Sequence, residues 1–250
     1  MRKSNQDGFT LVEMAIVLMI IGLLIGGILR GQELMENARV TSTIQQVKAY
    51  TGAFTAFMDQ YSGKPGDHPR ATVRLPGCNA ASNCGNGDGN GYVGDLIISG
   101  GGNEARNQAG TTALPRVETS YFWKHLSLAR LISGVDPTSN PSNPVWGSTH
   151  PAAKISASGF HVFYSGTIGD WGTGHVLRLQ PGVNTAPYHS GTPGGMAISP
   201  VRARQIDEKM DDGMSDRGRV ASDYDGTNCD PGGRYAVTDQ LNCIMYFNIE

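Results

Sequence analysis

The chain has 250 residues, with 20 Lys plus Arg, 22 Asp plus Glu and a formal net charge of −2 at pH 7. That length is ample for a real core, and without a basic excess nothing points to nucleic acid. The 34 glycines and 13 prolines follow no period, which excludes collagen and points to a loop-rich body.

Residues 1–8, MRKSNQDG, are polar and carry Arg2 and Lys3, whereas residues 9–29, FTLVEMAIVLMIIGLLIGGIL, contain one ionisable group, Glu13. As a helix this run is ~31 Å long, enough to span hydrocarbon. A secretory signal peptide would need a small-residue cleavage site after a shorter apolar region, but here the run leads straight into helical sequence. Arg2 and Lys3 keep the N-terminus cytoplasmic and put the body outside. Gly22/Gly26 and Gly27/Gly31 are small-xxx-small pairs, read either as close helix–helix contacts or as ordinary tolerance of glycine in lipid. An ionised carboxylate in a bilayer core costs about 2.5–3.5 kcal/mol even on the mild insertion scale, so Glu13 needs a reason.

Residues 30–61 contain no proline. Val40, Ile44, Val47, Thr51, Phe54, Met58 and Tyr61 draw one helical stripe, read as core packing, with Arg39, Gln45, Gln46 and Lys48 opposite. The boundary between stalk and body falls at YSGKPGD.

The stretch GFTLVEMAIVLMIIGLLIGG resembles the N-terminus of type IV pilins and type II secretion pseudopilins: a short basic leader, Gly, Phe, Thr-Leu-x-Glu-like residues and an apolar helix. The resemblance covers residues 2 to about 30 closely. It implies a leader at 1–8 and cutting by a prepilin peptidase between Gly8 and Phe9. It further implies N-methylation of Phe9, a long helix over 9–61 whose 9–29 part crosses the membrane, and an extracytoplasmic α+β body over 62–250. The partners it implies are the peptidase, inner-membrane assembly machinery and other pilins in a helical filament. For Glu13 it implies a pair with the new α-amine of a neighbour's Phe9, setting assembly register. One helical turn separates Glu13 from its own Phe9, so a self-contained pair stays open.

In the body, residues 91–98, 159–165, 175–180, 218–222, 234–237 and 243–248 read as short strands. Residues 118–133 and 199–213 read as helices, the first stopping at Gly134, the second starting with Ser199 and Pro200 and stopping at Gly213. The order allows the pilin arrangement, an antiparallel sheet laid on the second half of the long helix. Cys78, Cys84, Cys229 and Cys243 on the outer side of a membrane suggest two disulfides. Of three connectivities, Cys78–Cys84 with Cys229–Cys243 closes local loops, and the second resembles the C-terminal disulfide loop of many pilins.

Asn86, Asp88 and Asn90 alternate before Gly91, the spacing of a calcium loop; Ile97 stands where its last acidic ligand belongs, so Asp95 would have to serve. Calcium here and a solvated Gly/Asn turn are both open readings. A second acidic loop at 223–230 is weaker. The six histidines are scattered, and no H-E-x-x-H, G-x-S-x-G or P-loop occurs, so an enzyme is not expected. The expectation is a filament subunit, with 250 residues large for a bulk major pilin and leaning towards a minor one. A secretion pseudopilin, or a membrane-tethered adhesin that does not polymerise, are the alternatives.

Overall fold

The computed structural model describes residues 10–94, 117–141, 145–165, 173–182, 196–222 and 229–250. The chain forms two compact units, Met1–Arg39 and Val40–Glu250. Helix α1 (Leu11–Tyr61, 51 residues) belongs to both. It ends where Ser62 takes φ +56°.

In the first unit the apolar side chains of α1 are uncovered: Leu11 is 87% exposed and Leu23 72%. The 18-residue window of highest mean hydropathy reaches 2.6, with none of it buried, so this segment is long and apolar enough to cross a membrane. A Cβ at Gly22, Gly26, Gly27 or Gly31 would meet nothing within 4 Å.

In the second unit α1 changes character. Val40, Ile44, Val47 and Phe54 are buried as the stripe requires, while Thr51, Met58 and Tyr61 are only half-buried. Thr43, Tyr50, Ala53 and Phe57 are buried as well. An alternation of 4 and 3 averages 3.5 residues, so it drifts off the buried face of a 3.6-residue helix, and a broad body needs a wider face than one row.

That face meets a 4-stranded antiparallel sheet of order β1-β2-β4-β3, with β1 Gly159–Ser165, β2 Gly174–Gln180, β3 Val220–Ser222 and β4 Met245–Asn248. Phe160, Val162, Leu177, Leu179, Met245 and Phe247 point into the core shared with α1, while Phe163, Val176, Ile244 and Tyr246 form a second cluster with Met196. The two sets alternate along the strands, as pleating demands. Tyr50 of α1 meets Phe160 edge-on at 5.4 Å. The fold is α+β and pilin-like: a long helix, apolar in its first part, whose part from Val40 to Tyr61 packs on a small antiparallel sheet.

The described residues of the body also hold the shorter helices α2 (Ala71–Arg74), α3 (Glu118–Leu128) and α4 (Pro200–Met210) and a 3-10 turn at Ala80–Ser82. Helix α3 stops before the expected Gly134. Arg130 adopts φ +59°, its N–H donates to Ser127 O at 3.0 Å and that of Leu131 to Leu126 O at 3.0 Å, a Schellman end built on arginine. Helix α4 starts with Pro200 as expected, but Ser199 makes no side-chain cap. Residues 91–94, expected to begin a strand, are bends, and 95–98 lie outside the described residues. Residues 234–237 are loop rather than strand, because the Tyr235 hydroxyl is turned inward to donate to Asp207 Oδ2 at 2.8 Å. Two disulfides are present, Cys78–Cys84 and Cys229–Cys243, each with Cα atoms 5.0 Å apart.

Candidate functional site

The N-terminal site starts at Thr10, since Gly8 and Phe9 lie outside the described residues. Thr10 N–H donates to Glu13 Oε2 at 2.9 Å and its hydroxyl to the same oxygen at 2.8 Å, while Glu13 N–H donates to Thr10 Oγ1 at 3.2 Å. This is a capping box: residue N-cap and residue N3 satisfy each other's backbone donors and start the helix. Sequence reasoning singled out Glu13 and missed Thr10, although T-x-x-E before an apolar run is a legible signature. Only Oε2 of Glu13 is engaged in these bonds.

The second site is the loop at 86–94. Its asparagines serve the fold: Asn86 Oδ1 accepts from Thr72 N–H at 2.9 Å, and Asn90 Oδ1 accepts from Tyr92 N–H at 2.7 Å. Asp88 accepts from Asn90 N–H at 3.0 Å and from its side-chain amide at 3.0 Å. Five of the loop's backbone amides turn towards two carboxylates from elsewhere. Asp67 accepts from the N–H groups of Gly89 at 2.7 Å, Asn90 at 3.1 Å and Gly91 at 2.9 Å. Glu118, in the first turn of α3, accepts from Asp88 N–H at 2.8 Å and Gly94 N–H at 3.0 Å. Carboxylate oxygens of Asp67, Asp88 and Glu118 lie within 4.8 Å of one another, and these are the residues here that could hold a divalent cation. Of the residues the sequence offered, Asp88 and Asn90 are hydrogen-bonded to each other and Asn86 is turned to Thr72; the acidic groups described beside Asp88 are Asp67 and Glu118, and Asp95 lies outside the described residues.

Burial drives the electrostatics. Asp67 and Glu118 are buried, and Asp88 is exposed. Desolvation raises the Glu118 carboxyl to about 8, against the lowering effect of its two N–H bonds and with help from the charges of Asp88 and Asp67. Asp67 is raised to about 6, first by burial and also by Asp88 beside it. Close packing fixes the loop: a Cβ on Gly87 would come within 2.4 Å of the Asp67 backbone, and one on Gly66 within 2.5 Å of Glu118 O. His125 ties the two segments together, its Nδ1 accepting from Gly66 N–H at 2.9 Å and its Nε2 facing Gly85 O at 3.1 Å. That requires the proton on Nε2 and a neutral ring, which burial also favours by holding His125 at about 4. His175 holds the loop's far end: Nδ1–H donates to Glu250 Oε1 at 2.8 Å, leaving Nε2 to accept from Val93 N–H at 3.3 Å.

Residues 3–29 match the family described as the prokaryotic N-terminal methylation motif. This prepilin-type motif is diagnostic of type IV pilins and pseudopilins, and it contains Gly8, Phe9, Thr10 and Glu13. Comparison with curated proteins and with solved structures finds no match.

Proposed function

We propose that the chain, as the bearer of a prepilin-type motif at residues 3–29, is a structural subunit of a type IV pilus-type filament, and a minor one by its size. A prepilin peptidase cuts between Gly8 and Phe9, Phe9 is methylated, and the apolar half of α1 leaves the membrane to join other pilin helices in the filament. The observation that carries this reading is the motif itself, seated on a helix whose apolar side chains have no cover in their own unit. Such a surface needs lipid before assembly and other helices after it. Glu13 supplies the register: an anion in the first helical turn, with one carboxylate oxygen outside its capping bonds, pairs with the α-amine of a neighbouring Phe9.

Before assembly the subunit is a single-pass inner-membrane protein with its N-terminus cytoplasmic. Both disulfides lie in the second unit, which suits an oxidising outer compartment. A secretion pseudopilin shares each of these features and is the alternative; a tethered adhesin needs neither the cut nor Glu13. Intact-mass and N-terminal peptide analysis of protein from its native host tests the reading. The expected mature chain starts at a methylated Phe9. A mature chain retaining residues 1–8 in a peptidase-competent host sinks it.

A further inference from the structure

Residues 145–152 form a strap against the start of β1, which among the described residues lies at one edge of the sheet. Trp146 and His150 bridge each other across its turn, and Gly147 N–H donates to His150 O at 2.7 Å. Beyond the turn the strap pairs with the strand: Phe160 N–H donates to Pro151 O at 3.0 Å, and Ala152 bridges Gly159. Trp146 lies on Gly159, where a Cβ would meet its ring at 2.3 Å, and its Nε1–H donates to Pro181 O at 3.0 Å. The strap covers the backbone of Gly159 and Phe160, which would otherwise be open to another chain, while Tyr164 N–H farther along β1 donates to Val93 O at 3.1 Å.

The joint between strap and strand is a pair of imidazoles. His150 from the strap and His161 from β1 are both buried, with ring centroids 5.7 Å apart and planes 6° from parallel. His150 Nδ1 lies 3.0 Å from Thr149 Oγ1, but among the described residues His150 Nε2 and His161 Nδ1 have no hydrogen-bond partner. Nor has Nε1 of Trp123, the α3 side chain whose ring lies 6.5 Å from His150. From β2 the cross-strand partner of His161 is Arg178, a buried cation that donates to Gln180 Oε1 and lies over the Phe163 ring. Among the described residues no carboxylate acts on either imidazole.

We propose that the stacked His150–His161 pair is an acid-released joint, whose protonation detaches the strap at 145–152 from β1 and uncovers the Gly159–Phe160 end of that strand. A proton on either ring places a buried cation against the other ring and one strand from Arg178, with no carboxylate of the described residues acting on either imidazole. To leave, the strap gives up the Pro151–Phe160 bond, the Trp146 contacts with Gly159 and Pro181 O, the bond from Asp136 N–H to Ser148 O and that from the Gln46 side-chain amide to Ala152 O, whereas β1 stays paired with β2 from Gly159 to Ser165. The sign follows from burial, which holds both rings below the ordinary histidine range, His161 at about 4. A depressed pKa in the closed form means closure is complete above about 6.5 and is lost as pH falls towards 4. His161 alone then raises the opening equilibrium roughly a hundredfold between pH 8 and pH 4.5.

Hydrogen exchange of the full chain in detergent micelles, corrected for the intrinsic pH dependence, reads this directly. At pH 4.5 the strap and the Phe160 amide are expected to lose protection while residues 174–180 keep theirs. His150→Phe and His161→Phe retain a flat ring without a proton site and are expected to keep the strap protected at pH 4.5. Loss of strap and β2 protection together in wild type overturns the proposal, as does equal strap loss in both variants, which would move the acid response to His125. Exchange at the imidazole C2 positions of wild type needs no variant: two ordinary histidine titrations near 6.5 also overturn it.

Discussion

Replacing Glu118 by Gln is expected to reverse sign with pH. Glu118 is raised from 4.5 to about 8 by burial and by its acidic neighbours. A raised carboxyl pKa means the folded protein binds the extra proton between those values, so stability falls as pH rises through that window. At 1.36 kcal/mol per pH unit, the loss between pH 5 and pH 8 is about 3 kcal/mol. Glutamine does not titrate, but its amide NH₂ faces one of the two backbone donors, Asp88 N–H or Gly94 N–H, and forfeits about 1 kcal/mol. The variant should therefore match or trail wild type at pH 5 and exceed it by about 2 kcal/mol at pH 8. For a unit of this size that is a Tm difference of roughly 4–8 °C. The assay is thermal unfolding of the full chain in detergent across pH 5–8, with chelator and with millimolar calcium. A cation held by Asp67, Asp88 and Glu118 relieves the same repulsion, so calcium is expected to raise wild type at pH 8 and to leave the variant nearly unmoved. Parallel pH curves for the two proteins would refute the electrostatic reasoning. An unmoved wild type in calcium would remove the ion from this cluster while leaving the carboxylate argument intact.

Glu13→Val removes a charge that costs about 2.5–3.5 kcal/mol in lipid, so membrane insertion should hold while filament assembly falls; fractionation and filament counts compare the two, and normal filament yield would show that Glu13 does not set register. Replacing Cys229 and Cys243 by Ser opens a link with a sequence separation of 14 and should destabilise the body by about 3 kcal/mol, read as a lowered Tm, against a smaller loss for the Cys78–Cys84 pair at separation 6. Equal losses for the two pairs would count against the loop-length argument.

Much of the fold was legible because its signals are local. The strand at Gly159–Ser165 carries β-branched and aromatic residues between glycine-rich breaks, and Pro200 marks the first turn of α4. The expectations for 234–237 and for the Gly134 stop failed for the opposite reason. Tyr235 is drawn inward by Asp207, 28 residues away, and Arg130 closes α3 in a conformation that glycine usually takes. The candidate cation site was half legible. Asp88 stood out by alternation with Asn86 and Asn90, but Asp67 and Glu118 reach it from 21 and 30 residues away, inferred from positions in the chain, and no spacing rule links them.

The apolar half of α1, Glu13 in its first turn and the Gly8–Phe9 motif are written along the chain, since each depends on neighbours within a helical turn or two. So is the buried stripe that begins at Val40, because it follows from helical period and side-chain polarity. Which carboxylates share the loop at 86–94, that β1 lies at an edge, and that His150 stacks on His161 are settled by packing in three dimensions. Those outcomes depend on desolvation and on contacts between segments far apart in sequence. The free energy of burying a charge or an unpartnered imidazole is set by what surrounds it in space, and that surrounding exists only once the helix and sheet have packed.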